Sequence, residues 1–258
     1  MAVIKKIKIL KNKVTVFIEG GEKLELDKNV FPNFYLYVGK DISNKEMKKI
    51  ETANNASALL NYALKLRQKS SYSEFKMREK LYNKEANKEQ VDNVIKTLKD
   101  HGLIDDKQYI EDHVEYYNSL NYGKNKIVRK LKENGIFEEK IEKVNFPSSI
   151  ERKKANNILP KLEKKYEKLN NTQKKKHIYD AYLSQGFEMD LAREMCEKIK
   201  QTSSKEENKK LESDFDKAYR RYKSKYSKKE IKSKLINYLA SKGYKISDII
   251  NMMERKHI

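Results

Sequence analysis

The adjacent acids Asp105-Asp106 come nearest to reaction chemistry in this chain, since paired carboxylates can hold a divalent metal or share general acid and base roles. Consecutive helical positions point about 100° apart, so the two carboxylates do not converge on one atom. Both stand where a helical pattern begins, and there an acid caps free amides and meets the positive end of the macrodipole. Capping is the better account of both. His101, His113, His177 and His257 are scattered, without the spacing of a metal ligand set. Cys196 sits among Leu191, Ala192, Met195 and Ile199 at helical spacing, which fits a small core residue better than a nucleophile. The eight glycines make no phosphate-cradling loop. No catalytic residue, metal or cofactor is therefore expected, and the enzyme class has no support in the residues.

Charge is the chemistry that remains. The chain carries 58 Lys+Arg against 38 Asp+Glu, a formal +20, which favours a polyanionic partner. The excess is uneven. Residues 201–258 hold 16 basic against 8 acidic side chains, whereas 104–149 hold 8 against 9. The candidate DNA- or filament-binding residues are Arg220, Arg221, Lys223, Lys225, Lys228, Lys229, Lys232 and Lys234 in the C-terminal segment. Two further runs join them, Arg152-Lys153-Lys154 and Lys174-Lys175-Lys176, each opening a helical pattern where cations oppose the macrodipole. The competing account of all these lysines is a solvated helix face. Tyr219, Tyr222 and Tyr226 interleave with the C-terminal cations but at core spacing, which favours packing over base stacking.

The elements that position these residues fall into two kinds. In the first 40 residues Val14, Val16 and Ile18 alternate with Thr15, Phe17 and Glu19; Gly20-Gly21 follows, then Leu24 and Leu26 alternate with Glu25 and Asp27. Period two on both sides of a glycine pair predicts a β-hairpin, with Ile4–Ile9 as a third strand. From about Ser43 the period becomes 3.6. Helix starts are marked by a capping residue with an acid or amide three positions on: Ser71…Glu74, Asn87…Gln90, Asp105…Gln108, Ser203…Glu206 and Ser227…Glu230. Gly102, Gly135, Gly186 and Gly243 mark helix stops, where a left-handed cap needs no Cβ.

An internal repeat organises the helices. Ile127…Leu131…Gly135-Ile136, Ile178…Tyr182…Gly186-Phe187 and Leu235…Leu239…Gly243-Tyr244 share one pattern around the glycine, and Met77…Leu81…Ala86…Val91 is a copy without it. Leu81, Leu131, Tyr182 and Leu239 are separated by 50, 51 and 57 residues. Each copy follows a longer amphipathic stretch, so the unit is one long helix and two short ones across a turn. The long helix at roughly 204–226 would run about 35 Å. The fold expected is mostly all-α: tandem three-helix repeats in an elongated, curved array behind a small N-terminal β-hairpin extension. The boundaries are 1–42 for the β extension, 43–104, 105–147 and 148–202 for three repeats, and 203–258 for a basic fourth.

This layout resembles the RecX family, regulators of RecA recombinase. The resemblance rests on Ala58-Leu59-Leu60-Asn61-Tyr62-Ala63-Leu64, Ser73-Glu74, Gly102-Leu103-Ile104-Asp105-Asp106 with Tyr109, Gly123, Lys130-Leu131 and Gly135-Ile136, over about residues 50–250. Asp105, Asp106, Tyr109, Leu131, Gly135, Gly186 and Gly243 are thus marked as structural positions of the repeat. Several features depart from the pattern: Ile110 follows Tyr109 where the family usually has alanine, Glu85-Ala86 replaces the first turn glycine, the third repeat has none of the first repeat's Ser-Glu pattern, and a fourth, basic repeat exceeds the three-repeat core of shorter members, as in the longer forms of the family.

Family membership implies a non-enzymatic regulator of homologous recombination, DNA repair and the SOS response. Such a protein docks in the groove of the RecA–DNA filament and lowers filament growth, ATP hydrolysis and strand exchange. Single- or double-stranded DNA, bound without sequence preference, would be the second partner. The alternative from a different class is a stand-alone, basic nucleic-acid-binding repeat protein with no recombinase partner. No apolar run reaches the roughly 20 residues of a membrane span, so a cytoplasmic chain is expected, and stacked repeats require no dimer.

Overall fold

The computed structural model describes residues 2–258, leaving out the side chains of Ala2 and Lys228. Two compact units divide the chain: Met1–Asp112 with Lys132–Glu138, and His113–Leu131 with Glu139–Ile258. The first opens with a four-stranded antiparallel sheet of β1 (Ala2–Ile9), β2 (Lys13–Ile18), β3 (Lys23–Asp27) and β4 (Asp41–Ile42), in the order β3-β2-β1-β4. The hairpin lies where alternation places it. Val14 faces Leu26 and Val16 faces Leu24 across β2 and β3, and Gly20 and Gly21 turn the chain at φ 94° and 91°. Val14, Val16, Ile18, Leu26 and Ile4 are buried. β4 is new relative to the sequence pattern, because two residues carry no period.

Twelve helices follow among the described residues: α1 (Asn44–Lys69), α2 (Glu74–Tyr82), α3 (Lys88–Asp100), α4 (Asp106–Ser119), α5 (Lys124–Glu133), α6 (Glu138–Ile141), α7 (Ser148–Lys165), α8 (Asn171–Gln185), α9 (Met189–Glu197), α10 (Ser204–Lys223), α11 (Lys228–Ser241) and α12 (Ile246–Arg255). They form four tandem trios of one longer and two shorter helices. Helix α1 serves two cores, with Ile50 buried against the sheet and Ala63 buried in the first trio. Its Asn54 accepts from the Asp27 amide at 2.7 Å and donates to the Glu25 carbonyl at 2.9 Å, covering the β3 edge that would otherwise present unpaired backbone.

Four of the five capping signals read in the sequence stand at helix starts, those of α3, α4, α10 and α11; one does not. The cap of α2 is Ser73, not Ser71: its hydroxyl accepts from the Lys76 amide at 3.2 Å. Glu74 is therefore the first helical residue, and its carboxylate turns outward to Arg78 and Lys99. Burial works to raise the Glu74 carboxyl, but those two cations hold it below the usual range. Helix α10 ends at Lys223 rather than 226, about 30 Å at 1.5 Å per residue.

Three joints with one design link the trios. The first amide of each middle helix donates to a carboxylate from the long helix of the next trio: Glu74 to Asp106 at 2.9 Å, Lys124 to Glu151 at 3.1 Å, and Asn171 to Glu207 at 2.9 Å. The residue just before that amide bonds the carbonyl preceding the next turn glycine. Ser73 hydroxyl donates to Asn134 O at 2.5 Å, Gly123 N to Gln185 O at 2.8 Å, and Asn170 Nδ2 to Lys242 O at 2.9 Å. Asp105 and Asp106 hence divide two capping tasks, since Asp105 takes the Lys107 amide of its own helix at 2.7 Å.

The joints also require the glycines to lack a side chain. A Cβ on Gly135 would overlap the Phe75 ring, one on Gly186 the Lys126 backbone, and one on Gly243 Thr172. All three have positive φ (73°, 90° and 87°), so close approach and left-handed geometry coincide. Glu85, at the turn where the first trio lacks glycine, still adopts φ 59°. Leu131 is fully buried, and Tyr109 nearly so.

Candidate nucleic-acid interface

The cations of the fourth trio sit on an elbow that the fold exposes by burying everything opposite. Helix α10 starts with a capping box, Ser203 with Glu206, and places Glu206 and Glu207 at its positive end. Leu211, Phe215 and Ala218 are buried in a core shared with Ile231, Leu235 and Leu239 of α11. Arg220, Arg221 and Lys223 fall in the last turn of α10, where the helix dipole favours positive charge, and they face solvent. Lys225 follows in the turn; Lys229, Lys232 and Lys234 are exposed on α11. The side chain of Lys228 lies outside the described residues. Among the described residues none of these seven cations makes an ion pair. Two are poised over rings: Lys223 Nζ lies 5.9 Å from the Tyr219 centroid and Lys234 Nζ 5.4 Å from that of Tyr226. Tyr219 and Tyr222 pack on the core as their spacing implies.

The other two runs divide. Lys154 is a correction: it is 4 % exposed, and its ammonium is taken up by Asn118 Oδ1 at 2.7 Å, the Tyr122 carbonyl at 2.6 Å and Glu151 at 2.5 Å. It holds the Glu151 carboxylate that caps α5 and cannot also reach a phosphate. Lys174 is a second correction, 7 % exposed and bonded to the Lys200 carbonyl at 3.2 Å. In both cases long-range acceptors draw one lysine of a run inward. Arg152, exposed, pairs with Glu194 at 3.2 Å; Lys153 is exposed beside it. Lys175 and Lys176 are exposed and line a groove with Arg193, a cation that the sequence pattern did not single out.

A test separates the structural lysine from the surface ones. Lys154→Ala is expected to cost about 3 kcal/mol, the usual result of stranding one partner of a buried pair, while the salt dependence of DNA binding stays as it was. Urea unfolding beside a salt titration of binding reads both quantities.

Nothing else among the described residues suggests reaction chemistry. Cys196 is buried against the Lys175 carbonyl, and burial pushes its thiol up, away from the reactive thiolate. No group of three or more His, Cys, Asp or Glu residues that could hold a metal occurs among the described residues, and no helix there is long and apolar enough to cross a membrane.

No family model matches the sequence. Curated relatives do. The chain is 25% identical over 255 residues to regulatory protein RecX of Streptococcus agalactiae serotype Ia, covering 95% of this chain and 96% of that one. It is 30% identical over 244 residues to regulatory protein RecX of Streptococcus pneumoniae (strain ATCC 700669 / Spain 23F-1), covering 92% of each. Among solved structures the fold resembles a regulatory protein RecX, with a TM-score of 0.60 at 21% identity over 76% of this chain and 98% of that one. RecX from Lactobacillus salivarius gives 0.52 at 22% identity over 57% and 97%. Helical trios in tandem, a small antiparallel sheet before them and near end-to-end likeness to these relatives converge: the chain belongs to the RecX family of regulatory proteins.

Proposed function

We propose that this protein regulates homologous recombination and DNA repair without catalysing a reaction, by seating in the groove of a RecA–DNA filament. There it limits filament growth, ATP hydrolysis and strand exchange. The observation that carries the proposal is the elbow of seven exposed cations free of ion pairs among the described residues, on the last of four trios in a RecX-family chain. Cations already matched to local acids would gain little from phosphate. Unmatched ones release counterions when they meet it, giving attraction that ignores base sequence. In this division of labour the basic fourth trio faces DNA and the near-neutral second trio faces recombinase. Since every joint closes within one chain, a cytoplasmic monomer suffices.

The test is to add the protein to a preformed recombinase–single-strand filament and follow ATP hydrolysis. A dose-dependent fall at substoichiometric protein is expected. Unchanged hydrolysis, with bare DNA bound as tightly as filament at physiological salt, would instead establish the stand-alone nucleic-acid binder.

A further inference from the structure

Helices α8 and α9 enclose an open groove of about 870 Å³, lined by Lys175, Lys176, Tyr179 and Arg193, with Glu197 its single acid. We infer that this groove is a second, single-strand-selective nucleic-acid site, in which phosphates meet Lys175, Lys176 and Arg193 while a base lies on Tyr179. The inference deepens the DNA binding proposed above and rests on that reading.

The first trio shows what the same place looks like when it is only structural. Aligned on the left-handed turn residues Glu85 and Gly186, Glu74 falls on Lys175, Arg78 on Tyr179 and Asp92 on Arg193. In the first trio these positions neutralise one another: Arg78 bridges Glu74 at 2.9 Å and Asp92 at 2.5 Å, closing the surface between α2 and α3. In the third trio both acids have become cations and the bridging arginine has become an aromatic. The result is repulsion across the groove where the first trio has attraction, which an intervening anion relieves.

The available side chains fit a nucleotide better than an acidic peptide. Lys175 and Lys176 are exposed and make no ion pair among the described residues. Among the described residues Arg193 pairs with Asp190 alone, at 3.2 Å, and Asp190 is itself 95% exposed, a solvated pair that gives way readily. Tyr179 is half-buried, so its ring is held by the core on one side and presented to the groove on the other. A fixed ring beside cations is the stacking platform that single-strand binders use, indifferent to base identity. The volume falls within the roughly 300–1,000 Å³ that encloses one small molecule. A flexible strand can thread nucleotides through such a cleft; a stacked duplex keeps its bases inside and meets only the rim.

The experiment measures binding of the full chain to a fluorescent oligothymidylate and to a duplex of equal length, with no recombinase present. Its outcome is thus separate from that of the filament assay. Tyr179→Leu, which keeps an apolar side chain against the core, is expected to weaken single-strand binding about tenfold and to leave duplex binding unchanged. Lys175→Glu with Lys176→Glu is expected to flatten the single-strand salt slope by about 1.4, near 0.7 for each phosphate no longer neutralised. Melting curves that match the parent confirm that each variant is folded; should Tyr179→Leu melt early, Tyr179→Phe, which retains the ring, must bind as the parent does. An unchanged salt slope in the lysine variant, or equal weakening on strand and duplex, overturns the inference.

Discussion

Replacing Gly186 with alanine is expected to lower stability by about 3 kcal/mol or more. Two costs coincide there. At φ 90° an L-residue is strained by roughly 1–2 kcal/mol. The new Cβ would also overlap the backbone nitrogen and the Cβ of Lys126, neither of which can withdraw without opening the joint between the second and third trios. Forced overpacking of that kind adds about 1–3 kcal/mol. Gly102→Ala is the control, since φ is 66° but nothing lies within 4 Å of the added carbon, so only the conformational cost of about 1 kcal/mol applies. Gly123→Ala isolates the other contribution: its φ is not positive, yet a Cβ would overlap the Gly186 carbonyl carbon. Denaturant unfolding of the three variants decides the matter. Equal losses for Gly186→Ala and Gly102→Ala would mean that close packing at the joint contributes nothing.

Reversing charge at Arg220, Arg221, Lys229 and Lys232 together is expected to weaken DNA binding at least a hundredfold near 0.1 M salt. Each cation that neutralises a phosphate adds about 0.9 to the log–log salt slope on duplex and about 0.7 on single strands. With four fewer phosphates neutralised the slope should flatten by about 3, and each new carboxylate adds repulsion. Stability should change little, because all four side chains are exposed and pair with no acid among the described residues. The comparison is a reversal at Lys153 and Arg152, where Arg152 already has Glu194 as partner; it should flatten the slope less. If the elbow variant kept the parent slope, the elbow would be a solvated face and nothing more.

Local signals are legible in the sequence and long-range ones are not. The hairpin, the turn glycines and the boxes at Asn87, Ser203 and Ser227 are each specified within a few residues, so alternation and capping chemistry locate them. The imported caps leave no trace of that kind. Asp106, Glu151 and Glu207 act on amides in another trio, and an acid in a chain with 37% charged residues carries no mark of its destination. The same limit explains Lys154 and Lys174. A lysine run reads as solvated unless its acceptors are known, and Asn118, Tyr122 and the Lys200 carbonyl come from elsewhere in the chain. The cap of α2 falls two residues beyond its expected place for a related reason, because Ser71, Ser73 and Glu74 offer overlapping local choices and the Asn134 carbonyl selects among them. Arg193 is within reach of a comparison between repeats, yet it lies on the third helix, beyond the apolar pattern that aligns the trios.

The imported caps set rules for how a gene of this kind can lengthen or shorten. The middle helices α2, α5 and α8 each lack an acid at their third position, having Lys76, Lys126 and Gln173, and borrow one from downstream. Helix α11 carries its own, Glu230, whose carboxylate takes both the amide and the hydroxyl of Ser227. Duplication of an interior segment therefore keeps a downstream carboxylate for the first amide of each copied middle helix. A stop codon before residue 201 removes Glu207 and the Lys242 carbonyl at one stroke, so the first amide of α8 and the Asn170 side-chain amide lose their partners while Asn170 still caps the Gln173 amide.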